Sequence, residues 1–140
     1  MYDAWGRRFS YLAVADLATS DELFKSDVTT MTTGVIQVKD KNGNQITQYP
    51  SSCPTTPASC PINAYILISH GKNGIGAYGR NGSLVSSCAT YTLEVDNCSG
   101  FADFRSTGYN DGDIAANHFD DIVRWKSKDM VRMLPRRSDD

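Results

Sequence analysis

The chain has no apolar run that could cross a membrane and no excess of positive charge. No stretch approaches the ~18–20 consecutive apolar residues that a transmembrane helix needs, and no signal peptide is visible. The 14 Lys and Arg residues are outnumbered by 16 Asp and Glu residues, which leaves a net charge of −2. Because binding to nucleic acid depends on clustered cationic side chains, this balance predicts no nucleic-acid partner.

Several motifs of catalysis and metal binding are also missing. The four cysteines have no C-x2-C spacing and the histidines, His70 and His118, are single, so a zinc knuckle is excluded. The segment at 71–74 lacks the G-x4-G-K-[ST] pattern of a phosphate-binding loop, and no G-x-S-x-G turn is present. We therefore expect no enzyme, although a small hydrolase that uses Ser69 or His70 stays open as an alternative.

The chain does contain an even number of cysteines. Cys53 and Cys60 bracket a loop rich in Pro and Thr, whereas Cys88 and Cys98 bracket a short segment. Of three possible connectivities, the simplest joins Cys53 to Cys60 and Cys88 to Cys98. Disulfides persist in oxidising compartments, so this pairing predicts a periplasmic, cell-surface or secreted protein. The alternative is four reduced, buried thiols in a cytosolic protein.

Hydrophobic periodicity predicts more strands than helices in one domain that spans residues 1–140. The most apolar run, residues 62–69, predicts the central strand. Asn42-Gly43 predicts a hairpin turn, because this pair readily takes positive φ angles. Strand patterns occupy five more segments: residues 9–13 with an aromatic face inward, 29–40, 45–49, 88–95 and 119–126.

Helical and irregular segments complete this interpretation. Short helices are predicted near residues 23–28 and 129–134. Five glycines predict irregular backbone over residues 70–82. Residues 96–117 are predicted to form a long polar loop on the surface.

Three motifs follow one another along the chain. The first is DAWGRRFSY at 3–11, the second is SHGKNG at 69–74, and the third is DDIVRW at 120–125. In this order they resemble the type IV pilin and type II secretion pseudopilin superfamily. The resemblance covers the chain nearly from end to end.

The resemblance implies an α+β fold in which an antiparallel sheet packs on a hydrophobic N-terminal helix, with long disulfide-tied loops. It implies a structural subunit of a pilus or pseudopilus, whose partners are other pilin or pseudopilin subunits and the inner membrane. We expect a leader and that helix upstream of the present sequence. The alternative function is a secreted carbohydrate- or protein-binding adhesin module, with residues 51–108 as its recognition surface.

The resemblance also implies a metal site. In major pseudopilins a calcium ion ties the glycine-rich loop after the central strand to an Asp-Ile-x-x-Trp segment. Here Asn73 matches the loop aspartate, Asp121 matches the second aspartate, and Asp120 adds a carboxylate. Asn73 is a neutral ligand at a charged position, so we expect weakened calcium binding. The alternative is that Asp120 and Asp121 cap loop amides.

Overall fold

The computed structural model describes residues 1–14, 36–47, 63–88, 93–98, 103–110, 112 and 116–133. The elements in chain order are β1 (Ser10–Ala13), β2 (Gln37–Lys39), β3 (Asn63–Ser69), α1 (Val95–Cys98), β4 (Asp103–Arg105), β5 (Ile122–Ser127) and α2 (Lys128–Arg132). Over these residues the fold is an α+β mixture with little helix and an antiparallel sheet, which confirms the predicted class in its coarse form. No helix among them is long and apolar enough to cross a membrane.

The main sheet has three antiparallel strands in the order β1-β3-β5. β3 lies in the centre, as its short, β-branched apolar run predicts. β5 pairs along nearly its full length, from Ile122 opposite Ser69 to Ser127 opposite Asn63, with one register shift near Asn63. The predicted final helical turn is present as α2, which begins directly after β5; Ser127 caps it by accepting a hydrogen bond from the backbone N–H of Met130.

The core lies between the inner face of this sheet and a second, two-stranded sheet. Ile66, Ile68 and Val123 point inward from β3 and β5 and belong to the same buried cluster as Val38 and Phe104. Burying one such apolar side chain contributes about 1.5–3 kcal/mol. This packing therefore holds the two sheets together.

The second sheet differs from the predicted hairpin. The turn itself is present: the backbone N–H of Asp40 donates to the carbonyl of Asn44 at 2.8 Å, and Gly43 has a φ of 83°. However, β2 pairs in parallel with β4, and Gln45 makes only an isolated bridge to Lys39. The parallel pairing sets buried Val38 beside buried Phe104, and on its other edge β2 keeps part of the hairpin, since the Ile46 backbone N–H donates to the Val38 carbonyl at 2.8 Å.

Two further predictions for residues 88–117 are wrong in part. A strand over 88–95 is not formed at its end, because residues 93–94 make a turn and helix α1 begins at Val95. The predicted surface loop at 96–117 contains β4, and Phe104 within this strand is buried. Phe104 lies between the charged residues Asp103 and Arg105, so the polar composition of the segment gave no sign of its burial.

The aromatic face of β1 points outward, contrary to the prediction. Tyr11 is 64% exposed, and Trp5 just before the strand is 42% exposed. The register explains this orientation, since Tyr11 lies opposite Leu67 on the face of the sheet that turns away from the core. Ile122, 44% exposed, shares that face because its partner Ser69 is two residues from Leu67.

A disulfide joins Cys88 to Cys98, with the two Cα atoms 5.9 Å apart, as the simplest pairing predicts. Cys53 and Cys60 lie outside the described residues, as do the helix predicted at 23–28 and the strand residues 29–35.

Candidate functional site

The three sequence motifs meet at one end of β3. Ser10 of the first motif lies opposite Ile68, and Ile122 of the third lies opposite Ser69. Continuing that antiparallel register brings Asp121 level with His70 and Asp120 level with Gly71. The sheet therefore joins segments that are far apart in the chain.

The first motif is bonded to the second. Asp3 accepts hydrogen bonds from the backbone N–H groups of Trp5 and Arg7 through Oδ1, and from the Ser69 hydroxyl at 2.7 Å through Oδ2. The Arg7 guanidinium donates to the backbone carbonyls of Gly71 and, at 2.6 Å, Lys72. Arg7 thus spans the turn that follows β3 and satisfies carbonyls that regular structure would leave unpaired.

Two glycines allow this close approach. Gly71 and Gly74 have φ angles of 50° and 68°. A Cβ at Gly71 would collide with the carboxylate of Asp120, and one at Gly74 would collide with the Arg7 guanidinium. These positions need glycine for conformation and for space.

A buried cluster of Glu94, His118 and Asp120 lies on the far side of the turn. One ligand atom of each comes within 4.8 Å of those of the other two, and all three residues are buried. His118 Nε2 lies 3.8 Å from Glu94 Oε1 and 3.7 Å from Asp120 Oδ2. This cluster could hold a metal ion.

Asn73 lies inside the cluster. Its Nδ2 group lies 2.8 Å from both Glu94 Oε2 and His118 Nε2. Its Oδ1 accepts from the backbone N–H of Ile75, and its own backbone N–H donates to Asp120 Oδ2 at 2.9 Å. The Asp120 backbone N–H in turn donates to Glu94 Oε1 at 2.7 Å. Hydrogen bonds therefore join the loop after β3 to the residues that precede α1 and to those that precede β5.

The electrostatics of this cluster are unfavourable for two negative charges. Burial is the main cause that raises the pKa of Glu94, and the neighbouring Asp120 carboxylate adds to it. Among the described residues, Asp120 Oδ1 is buried without a hydrogen-bond partner. Buried carboxylates are stabilised by a cation, a proton or hydrogen bonds, and here the bonds to Asn73 and the backbone supply only part of that.

Asp121 points away from this cluster. Its Oδ2 accepts from Asn97 Nδ2 at 2.8 Å, and its Oδ1 lies 3.8 Å from His70 Nδ1. Burial raises the pKa of Asp121 to about 8 and is also the main cause that lowers the pKa of His70 to about 4. The pair is therefore mostly neutral at pH 7.

His70 also contacts Ser10. The Ser10 hydroxyl and His70 Nε2 are 2.7 Å apart, and Ser10 borders a cavity of about 200 Å³. Serine, histidine and aspartic acid thus follow one another as in a hydrolase triad, but among the described residues His70 Nδ1 and Asp121 Oδ1 have no hydrogen-bond partner, so the histidine–aspartate bond of a triad is not formed. Sequence reasoning considered Ser69 as the partner of His70, but Ser69 donates to Asp3 instead.

Of the predicted metal ligands, the structure brings Asn73 and Asp120 together and places Asp121 elsewhere. Adjacent residues of an extended backbone point to opposite sides, so Asp120 and Asp121 are separated. Sequence reasoning did not identify Glu94 and His118 as ligands. His118 stands two residues before Asp120, a spacing that could have pointed to it, whereas Glu94 lay in a segment read as a strand.

Comparisons with protein-family models, with curated proteins and with solved structures find no match for this chain.

Proposed function

We propose that the chain is the globular head of a filament subunit of the type IV pilin and pseudopilin kind, and that its role is assembly and not catalysis. The observation that carries the proposal is the convergence of the three resembling motifs at one end of β3. They are joined there by the bonds of Asp3 and Arg7 and by the packing of Asp120 on Gly71.

The outer face of the main sheet supports the same proposal. Tyr11 and Ile122 are exposed on it, and Tyr65 and Leu67 are half-buried. By the same alternation the exposed Arg124 and Lys126 stand on this face opposite Leu67 and Tyr65, so it is a mixed surface against which an amphipathic helix with acidic side chains would pack. In the proposed subunit, a hydrophobic N-terminal helix lies against this face and also anchors the subunit in the inner membrane before assembly.

The test uses the natural full-length protein in the cells that carry its gene. Ile122→Glu and Tyr11→Glu place a charge where the helix would pack, so we expect both variants to be lost from sheared surface filaments. Leu84→Glu is the matched control, because Leu84 is 49% exposed in the loop after β3 and lies outside that face. Normal filament incorporation of Ile122→Glu and Tyr11→Glu would contradict the proposal.

The compartment follows from the same proposal. A head on a filament faces the periplasm or the cell exterior, where the Cys88–Cys98 disulfide would persist. The coding sequence upstream of Met1 should then encode a leader and about 20 consecutive apolar residues.

A cation in the buried cluster would tie the loop after β3 to β5. Calcium is the ion that the resemblance implies, with Asn73, Asp120 and Asp121 as ligands. The contact between the first two is a bond from the Asn73 backbone N–H to the Asp120 carboxylate, which is the amide capping given above as the alternative, and Asp121 faces His70 and Asn97. Calcium is tested by thermal melts with added calcium and with chelator, because an ion bound only to the folded state raises the melting temperature.

A second candidate function is hydrolysis, favoured by the Ser10–His70–Asp121 arrangement. The charges weaken it: a His70 pKa of about 4 makes a poor base at pH 7, and Asp121 keeps its proton there. A fluorophosphonate probe that labels the chain at Ser10 would support hydrolysis, and absence of labelling would contradict it.

A further inference from the structure

We propose that the cluster of Glu94, His118 and Asp120 binds a transition-metal cation of the zinc class and selects it over calcium. The three residues lie on segments separated along the chain: Glu94 precedes α1, and His118 and Asp120 precede β5. An ion there would fasten these two segments to each other. This inference does not depend on filament assembly.

The His118 ring is oriented by a contact at each of its two nitrogens. Its Nδ1 lies 3.4 Å from the carbonyl of Gly112, and its Nε2 lies 2.8 Å from the Asn73 amide nitrogen. A carbonyl only accepts and an amide nitrogen only donates, so Nδ1 carries the proton and Nε2 presents its lone pair to the cluster. Metal-binding histidines characteristically donate their second nitrogen to a backbone carbonyl or carboxylate in this way.

The spacing of the donor atoms is close to that of a zinc site. Zinc bonds of about 2.0–2.2 Å in a tetrahedron put neighbouring ligand atoms roughly 3.4 Å apart. His118 Nε2 lies 3.8 Å from Glu94 Oε1 and 3.7 Å from Asp120 Oδ2. These two distances exceed the zinc spacing by a few tenths of an ångström, and all three donor atoms lie within 4.8 Å of one another.

The side-chain amide of Asn73 occupies the centre of the cluster. The Asn73 NH₂ group, which carries a partial positive charge, lies 2.8 Å from both Glu94 Oε2 and His118 Nε2, as a cation would. An ion at the centre would displace this NH₂ group, and rotating the displaced amide by 180° would turn Oδ1 toward the ion as a fourth ligand. The rotation gives up one hydrogen bond, from the Ile75 backbone N–H to Oδ1.

The cluster holds two acidic side chains. Within the described part of the chain, the Glu94 and Asp120 carboxylates face the His118 ring at 3.8 and 3.7 Å, and Asp120 Oδ1 is buried with no hydrogen-bond partner. A divalent cation would neutralise both carboxylates. Sequence reasoning expected Asp121 in this role, but its carboxyl group faces His70 and Asn97.

The donor types select the metal. Calcium takes six to eight oxygen ligands, whereas imidazole nitrogen with carboxylates suits zinc and its neighbours. The cluster offers one imidazole nitrogen, two carboxylates and one amide, which is a four-coordinate set of the zinc type.

The test measures metal binding by the chain after removal of any purification tag and treatment with EDTA. Zinc at about 100 times its dissociation constant should raise the melting temperature by about 5–10 °C, and the same calcium concentration should not. Cobalt(II) should give the intense visible absorption of a four-coordinate site.

Variants locate the site. His118→Gln and Glu94→Gln should each lower zinc affinity by at least about a hundredfold, since each removes a ligand. Asp121→Asn is the matched control and should keep the zinc-induced shift. Absence of a zinc shift, its retention in His118→Gln, or a larger shift with calcium would overturn the proposal. If His118→Gln does not fold, a weak, octahedral-type cobalt spectrum of the unsubstituted protein would overturn it instead.

Discussion

At the scale of a single residue, the turn after β3 requires glycine at position 71. Its φ is 50°, and a Cβ would collide with the carboxylate of Asp120. We expect Gly71→Ala to lower the free energy of unfolding by about 2–4 kcal/mol, from the strained backbone angle and the displaced carboxylate together. Gly43→Ala is the control, because Gly43 has a φ of 83° and no atom within 4 Å of the added Cβ. Equal losses in urea unfolding would contradict this account.

His70 and Asp121 give a prediction for pH dependence at the same scale. The pKa of His70 falls from 6.5 to about 4, so between these values only the unfolded chain binds this proton and stability rises with pH. The pKa of Asp121 rises from 3.8 to about 8, so the folded chain keeps a proton that the unfolded chain loses, and stability falls with pH. The two effects oppose each other up to pH 6.5.

Above pH 6.5 only the Asp121 contribution of this pair remains. We expect the free energy of unfolding to fall by about 2 kcal/mol between pH 6.5 and 8, since one proton is worth about 1.4 kcal/mol per pH unit. Urea unfolding in the presence of chelator, at pH 5, 6.5 and 8, measures this. Asp121→Asn should lose this decline, and an unchanged decline in that variant would show that other groups cause it.

At the scale of elements, the disulfide ties α1 to the segment that follows the β3 turn. Cys98 is the last residue of α1, and Cys88 lies ten residues earlier. Removing this bridge by Cys88→Ala with Cys98→Ala should lower the free energy of unfolding by roughly 2.5–3 kcal/mol in the chain-entropy model. A non-reduced digest should contain the Cys88–Cys98 linked peptides. Linkage of Cys88 to Cys53 or Cys60 would contradict the pairing.

Local sequence patterns predicted some elements and could not predict others. The apolar run that became β3 and the Asn42-Gly43 turn are encoded by neighbouring residues. The parallel pairing of β2 with β4 depends on contact between Val38 and Phe104, which are 66 residues apart in the chain. The outward direction of Tyr11 depends on a register that alternation alone leaves open, because a shift of one residue exchanges the two faces of a strand.

The residues of the candidate site likewise divide into those that local sequence identifies and those that only tertiary packing brings together. Asp120 and Asn73 were identifiable because each lies in a recognisable motif. Glu94 could not be found in this way, because it reaches the cluster only when α1 packs near the entry of β5, where Glu94 accepts from the backbone of Asp120. Asp121 was predicted with Asp120 because adjacency in sequence conceals opposite directions in an extended backbone.

At the scale of the whole molecule, the proposed subunit is a head whose outer sheet face receives a helix from the same chain. The most direct measurement is mass spectrometry of filaments sheared from cells that carry the gene. The account predicts peptides of this chain in the filament fraction, in a mature protein whose upstream sequence contains about 20 consecutive apolar residues. Recovery of the chain only outside the filament fraction, with no apolar segment before it, would contradict the account.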